Sequence, residues 1–280
     1  MSGAGNLFTV ADNRKAKLDK NRWSSLAPIV CDENEYNDFA TEGLLVIDSS
    51  EKGDFTAMFF NPDGSSEMMC GNGGRCAVMF AAREGFLDGD SGGVAFYMAG
   101  SKYHSEIIGD KVRLRLPAPV KVDTSVSLHL AEDDISAGFV DVNSEHLVVN
   151  ACRLAGISQE VFFSADLKSV FLELRHLQKF NPPGININIF LPVSENQIYL
   201  RTFERGVEAE TGACGTGAIS TAIISAAAGL TDLPTTVVPP SRIPLRVYID
   251  GSIKNGINEV ILEGPAETLR SATIEINDEL

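Results

Sequence analysis

Basic residues are scarce: 23 Lys and Arg stand against 38 Asp and Glu, and the net charge over 280 residues is −15. Nucleic acid and anionic membrane surfaces are held by basic patches, so neither is an expected partner. Long uncharged runs are missing too. The longest nearly uncharged helical stretch, Gly217 to Leu230, is too short to cross a bilayer. No basic region followed by an apolar core opens the chain, so no signal peptide is expected. The five cysteines (31, 70, 76, 152 and 214) are odd in number and show no disulfide framework. A dithiol redox site would show Cys-x-x-Cys, which is absent, and the wide spacing of Cys70 and Cys76 does not suit structural zinc. Gly3-Ala4-Gly5-Asn6 is a loop feeding a strand, not a glycine fingerprint opening a helix, so dinucleotide binding is rejected. The composition is otherwise that of an ordinary globular protein, expected to be cytoplasmic with reduced thiols.

What the chain does have is one stretch written twice. Cys70-Gly71-Asn72-Gly73-Gly74 and Cys214-Gly215-Thr216-Gly217-Ala218 are Cys-Gly-polar-Gly turns running into apolar segments that read as buried helices, through Arg75–Ala82 and Ile219–Ala228. Gly85 and Gly229 stand at the same offset from each cysteine, where a left-handed residue ends a helix. A helix N-terminus carries unpaired N–H groups and about half a positive charge, which favours thiolate over thiol and makes a carboxylate site. A lone Cys before an apolar helix reads more readily as an inert packed thiol; the matched pair reverses that. Two thiols so placed form an acid/base pair: one removes a proton from carbon, the other supplies one, and the centre is inverted. The developing charge is stabilised through the substrate carboxylate at the helix ends. The scheme requires neither metal nor organic cofactor.

Around these motifs the periodicity predicts a helix over Asp19–Ala27 with Trp23, Leu26 and Ala27 inward and Pro28 near its end. Strands are predicted at Leu7–Ala11, Leu44–Asp48, Phe55–Phe60, Val94–Ala99, His104–Ile108 and Val112–Leu116. Asp32–Asp38 reads as an acidic surface loop. Pro117-Ala118-Pro119 is the expected crossing between two lobes. In the second half, strands are predicted at Phe139–Val142, Leu147–Val149, Ile198–Phe203, Leu245–Ile249, Glu259–Glu263 and Leu269–Ile276. A helix through Val170–Leu177 would be capped by Ser164 or Asp166. Ile185–Ile189 alternates, with its Asn residues on one face, which is either a solvent face or a binding face. The expected class is α+β, two pseudo-symmetric lobes, each a mixed sheet wrapped round a central apolar helix. The lobes are set at 1–116 and 117–265, with a strand in 266–280 returning to the first.

The two cysteine stretches, with Glu204-Arg205-Gly206 and Glu210-Thr211-Gly212-Ala213 leading into the second, resemble the signatures of the diaminopimelate epimerase family. Gly3–Asn6, Phe60–Ser65 and Gly184–Asn188 extend the resemblance over almost the whole chain. It implies two lobes with the site between them, and interconversion of LL- and meso-diaminopimelate without pyridoxal phosphate, on a route to lysine and cell-wall precursors. It implies Cys70 and Cys214 as the catalytic acid/bases, with His146 and Glu204 beside the thiols. Backbone N–H groups around Gly71, Asn72, Gly215 and Thr216 would hold the reacting carboxylate. Asn6, Asn61, Asn186 and Arg205 would read the substrate, Arg205 at its distal carboxylate. A homodimer is implied by the family alone. Plainer alternatives stay open: turn initiation for Asn61, a surface ion pair for Glu204-Arg205, a satisfied strand histidine for His146, a solvent face for Asn186. Cys31, Cys76 and Cys152 read as structural.

The chain also departs from the family. Leu7 stands where Asp is usual, and Asn143-Ser144-Glu145-His146 where Gly-(Asn or Ser)-Pro-His is usual. The first motif begins at Met1, so a few residues of a preceding strand are expected to be missing. The Ser144-Glu145 change keeps open a racemase of another amino acid; a non-catalytic amino-acid-binding protein is the alternative of a different class.

Overall fold

The computed structural model describes residues 1–33, 38–66, 69–87, 93–130, 133–154 and 156–273. The chain forms two compact units, one of Met1–Arg115 rejoined by the chain from Glu263, the other Leu116–Leu262.

In the first unit, strands Thr9–Asp12, Leu44–Ser49, Phe55–Phe60, Val94–Met98, Ser101–Ile108 and Lys111–Pro117 lie side by side in that order. Two of the pairings are parallel and the rest antiparallel, so the sheet is mixed. Leu44, Leu45, Val46 and Ile47 are all fully buried, the mark of a strand covered on both faces. Alternation sorts them. Leu44 and Val46 pack on Trp23, Leu26 and Ala27 of the helix Lys20–Val30, while Leu45 approaches the start of the helix Gly71–Arg83. Asp19 caps the first of these helices, its carboxylate accepting the Arg22 N–H at 2.8 Å. Pro28 does not end it; the helix runs on to Val30, because buried Ala27 and Val30 hold its last turn on the sheet. The helix Gly71–Arg83 is buried nearly all round, as a central helix must be.

Met1–Asn6 differs from the expected loop. Ser2–Gly3 pairs antiparallel with Asn6–Leu7 across Ala4 and Gly5, both at positive φ as a two-residue hairpin turn demands. Only hydrogen would fit at Gly3, where a Cβ would lie 2.7 Å from the Asn72 carbonyl oxygen. Ser2 also bridges to Glu267. The expected strand at 269–276 does not form over 268–273, and its remainder lies outside the described residues, as does 34–37 of the acidic loop.

In the second unit the order is Lys121–Leu130, Asp133–Asp141, Glu145–Asn150, Asn186–Ser194, Gln197–Glu204, Thr235–Val238, Leu245–Ser252 and Gly256–Pro265. Lys121–Leu130 and Thr235–Val238 were not foreseen. Parallel and antiparallel pairs again mix. The helix Lys168–Arg175 sets Phe171 and Leu174 against Leu147, Val149, Ile187 and Ile189. Its first turn is held by Asp166, which accepts the Lys168 N–H at 3.0 Å, whereas Ser164 bonds back to Val161. The apolar helix Gly215–Ala227 covers the opposite face, its Ile224 occupying the space a Cβ on Gly138 would need. Each unit is therefore α+β, a mixed sheet with a buried helix on one face and a shorter helix on the other. Among the described residues no helix is long and apolar enough to span a membrane.

Candidate active site

Both motif cysteines are helix N-caps. Cys70 precedes Gly71–Arg83 with φ −109° and ψ 111°; Cys214 precedes Gly215–Ala227 with φ −127° and ψ 113°. The helices begin at the glycines, four residues earlier than the apolar runs suggest. They end as expected, with Gly85 and Gly229 left-handed. In the first, the Gly73 N–H donates to Cys70 Sγ at 3.3 Å and the Gly74 N–H to the Cys70 carbonyl at 2.7 Å. The amides of Gly71 and Asn72 lie upstream of that first intrahelical bond. In the second, the Ala218 N–H closes on the Cys214 carbonyl at 2.9 Å, leaving Gly215 and Thr216 in the corresponding places.

The two thiols differ in their surroundings. Cys70 is half-buried. Cys214 is buried, with its Sγ 3.5 Å from Thr216 Oγ1 and hydrogen-bonded to the Glu204 carboxylate. Burial first, and the Glu204 charge second, push the Cys214 thiol well above its ordinary range. This corrects the expectation drawn from the helix end: at Cys214, desolvation outweighs the partial positive charge of the N-terminus, and the group rests as a thiol. Glu204 is itself raised by burial and accepts a hydrogen bond from Thr211 Oγ1.

The sheet explains how Glu204 and His146 come to this region of the second unit. Register pairs His146 with Asn186, Val148 with Asn188, and Asn188 with Thr202. With period two, His146, Asn186, Asn188, Thr202 and Glu204 share one face, and Leu147, Val149, Ile187, Ile189 and Phe203 the other. The polar face looks onto the start of the cysteine-capped helix: a Cβ at Gly217 would sit 2.4 Å from Asn188 Oδ1. The Asn row is buried there, with Asn186 and Asn188 at 5% and 0% exposure, so it is not a solvent face.

Asn188 fixes the His146 ring. Thr202 Oγ1 donates to Asn188 Oδ1 at 3.0 Å, which orients the amide. Asn188 Nδ2 then donates to the Leu147 carbonyl and to His146 Nδ1 at 3.0 Å. His146 is thus an acceptor at Nδ1 and carries its proton on Nε2, a buried atom without a hydrogen-bond partner among the described residues. Burial drives its pKa down to about 3, so the ring is neutral near pH 7.

Asn186 serves as a bracket. Its Nδ2 donates to Ser144 Oγ (3.0 Å) and the Glu145 carbonyl (2.9 Å), and its Oδ1 accepts the Arg205 N–H (2.9 Å). Arg205 Nη1 donates to the Gly184 carbonyl at 3.1 Å and lies 3.6 Å from Glu145 Oε2. The loop that follows is tied down by two ion pairs, Arg175–Glu208 and Arg201–Glu210, each 2.6 Å.

In the first unit, Asn6 and Asn72 hydrogen-bond to each other. Asn6 also donates to Glu42, and Asn72 accepts from Arg75 Nη2 at 2.9 Å. Arg75 is fully buried; desolvation lowers its pKa to about 10, still far above neutrality, so the cation persists. Asn61 opens the turn to Ser65, its Nδ2 donating to Ser65 Oγ at 2.8 Å. Arg75, Asn188, Thr202 and Thr211 were given no role from the sequence, although Arg75 and Thr211 lie in the two cysteine stretches and Asn188 in the alternating row. Cys76 is buried, its thiol pushed to about 12 by desolvation, and Cys31 is buried as well. Cys152 is exposed rather than packed. Among the described residues no three His, Cys, Asp or Glu side chains gather as a metal site would need.

The family model for diaminopimelate epimerase matches residues 1–106. Curated relatives extend over the whole chain. A diaminopimelate epimerase of Chlorobaculum tepidum is 32% identical over 287 residues, covering 99% of this chain and 100% of its own. One of Aquifex aeolicus is 33% identical over 273 residues, covering 94% and 92%. Among solved structures, a Bacillus anthracis phenazine biosynthesis protein of the PhzF family superposes with TM-score 0.66 at 15% identity, covering 95% of this chain and 92% of that one. A probable proline racemase from Agrobacterium radiobacter gives 0.63 at 12% identity, with coverage of 92% and 85%. At such identities these two attest the fold alone. Kinship with the curated relatives, at this level and from end to end, decides the family: this chain belongs to the diaminopimelate epimerases and is an isomerase.

Proposed function

We propose that the enzyme interconverts LL- and meso-diaminopimelate by a two-thiol acid/base mechanism without a cofactor, in the supply of lysine and cell-wall precursors. The observation that carries this reading is the matched pair of thiol-capped helices, Cys70 and Cys214, on a chain with full-length epimerase relatives. One proton is shared between two thiols, so one is a thiolate while the other is a thiol. Burial and Glu204 keep Cys214 protonated at rest, which makes it the donor. Cys70 as thiolate then takes the α-proton, Cys214 delivers its own to the opposite face, and the enzyme is left with Cys70 protonated and Cys214 ionised. The return reaction restores the first state. The amides at the helix starts bind the α-carboxylate and stabilise the charge that develops on it. The Nε2–H of neutral His146 supports an ionised thiol as a hydrogen-bond donor. Arg205 pairs with the distal carboxylate, and Asn6, Asn61 and Asn186 read the substrate.

The Glu145 carboxylate beside Arg205 favours one second reading, a racemase of an amino acid without a distal carboxylate. The test is proton exchange in deuterium oxide, with reduced protein, LL-diaminopimelate and no added cofactor. Deuterium entry at the α-carbon with formation of the meso isomer is expected. No exchange with free thiols would overturn the substrate assignment, and a panel of other amino acids in the same solvent would decide for the second reading.

A further inference from the structure

We propose that Glu145 is a specificity-determining residue whose carboxylate receives the distal ammonium group of the substrate while Arg205 receives the distal carboxylate. The inference rests on the functional reading above and deepens it.

Three observations carry it. First, the pair is open. Glu145 Oε2 and Arg205 Nη1 are 3.6 Å apart, within ion-pair range but beyond hydrogen-bond length, and the side chains are 45% and 32% exposed. An ion pair of that kind contributes little to stability, so stability does not account for it. Second, both backbones are placed by one buried support. Asn186, 5% exposed, holds the Glu145 carbonyl and Ser144 Oγ with its Nδ2 and the Arg205 N–H with its Oδ1. Opposite charges are thereby held side by side by a single amide. Third, the hydrogen bond of the guanidinium runs from Nη1 to Gly184, and Glu145 lies on that same nitrogen. Among the described residues this leaves the Nε–Nη2 edge to fork a carboxylate.

The distal end of diaminopimelate is a carbon bearing one ammonium and one carboxylate. An adjacent guanidinium and carboxylate match it charge for charge, where Arg205 alone would match only half.

The discriminating ligand is α-aminopimelate, which keeps the chain length and distal carboxylate but lacks the distal ammonium. Glu145→Gln is expected to raise KM for LL-diaminopimelate about tenfold, the loss of one charge-assisted hydrogen bond, with kcat little changed. Binding of α-aminopimelate, measured by calorimetry, should be equal or tighter in the variant. Glu145→Asp, which keeps the charge, should recover part of the loss. Equal weakening of both ligands, or a KM for diaminopimelate that is unchanged or lower, would overturn the proposal. Failure of the wild-type protein to exchange or bind diaminopimelate at all would instead overturn the functional reading beneath it.

Discussion

At the scale of single residues, the proposed chemistry falls to two thiols, and burial with Glu204 sets the state of Cys214. Cys70→Ser and Cys214→Ser are each expected to lower turnover by about 10²–10⁴-fold while leaving the circular dichroism spectrum intact, since each removes a positioned proton-transfer group. Near-normal turnover in either would sink the two-thiol mechanism. The buried thiols also predict an alkaline weakness. The folded protein holds the Cys76 proton up to about 12, whereas the ordinary value is 9.0, and Cys214 is raised as well. A raised folded pKa means that stability is fully present below the unfolded value and falls as pH rises through the interval. The urea midpoint should therefore decline above about pH 9, and Cys76→Ala should flatten part of that decline. An identical decline in the variant would assign it elsewhere. His146 shows where residue-level reading from sequence stops. The resemblance set it beside the thiols and left a satisfied strand histidine as the alternative; its neutral tautomer follows from Asn188, whose orientation is set by Thr202.

Elements bring these groups together. The sheet of the second unit delivers five polar side chains to one face, and the helix Gly215–Ala227 approaches that face at Gly217. A side chain there has no room, with Asn188 Oδ1 at 2.4 Å and Thr202 Oγ1 at 3.0 Å from the position of a Cβ. Gly217→Ala is expected to destabilise the protein by about 1–3 kcal/mol through overpacking, outweighing the helix propensity gained. Urea unfolding measures it; a gain in stability would show that the helix can move away without penalty. Most elements were legible in the chain because long periodic segments announce themselves. Pro28 left the end of its helix open because its missing N–H counts locally, while the packing of Ala27 and Val30 that carries the helix to Val30 is tertiary. Lys121–Leu130 was missed although Val126, Leu128 and Leu130 alternate inward with Ser127 and His129 between them; the alternation covers only its second half, and Lys121–Ser125 buries no side chain.

For the whole molecule, the charge of −15 is the dominant non-specific force. Like charges oppose compactness, and salt screens them over about 10 Å at 0.1 M and about 3 Å at 1 M. Raising NaCl or KCl alike over that range should raise the melting temperature by about 2–4 °C, the shift expected for roughly 1 kcal/mol in a chain of this size. A melting temperature that is unchanged or falls would mean that the ion pairs, such as Arg113–Glu263 at 2.6 Å, outweigh the repulsion. Glu263 also marks where the chain returns to the first unit, and Glu267 pairs with Ser2 there, so that unit is built from both ends of the sequence.

The sequence by itself determined the family and the placement of two cysteines at helix starts. Two Cys-Gly motifs before apolar runs, with glycines at equal offsets, specify thiol-capped helices because capping, helix propensity and left-handed termination are local. Tertiary structure decided the states of those groups. Whether Cys214 rests as thiol depends on burial and on Glu204, whether the Asn row meets water depends on what covers its face, and whether Glu145 reaches Arg205 depends on a bracket formed by Asn186. Desolvation and the convergence of distant side chains are properties of the packed chain, and no window of sequence contains them.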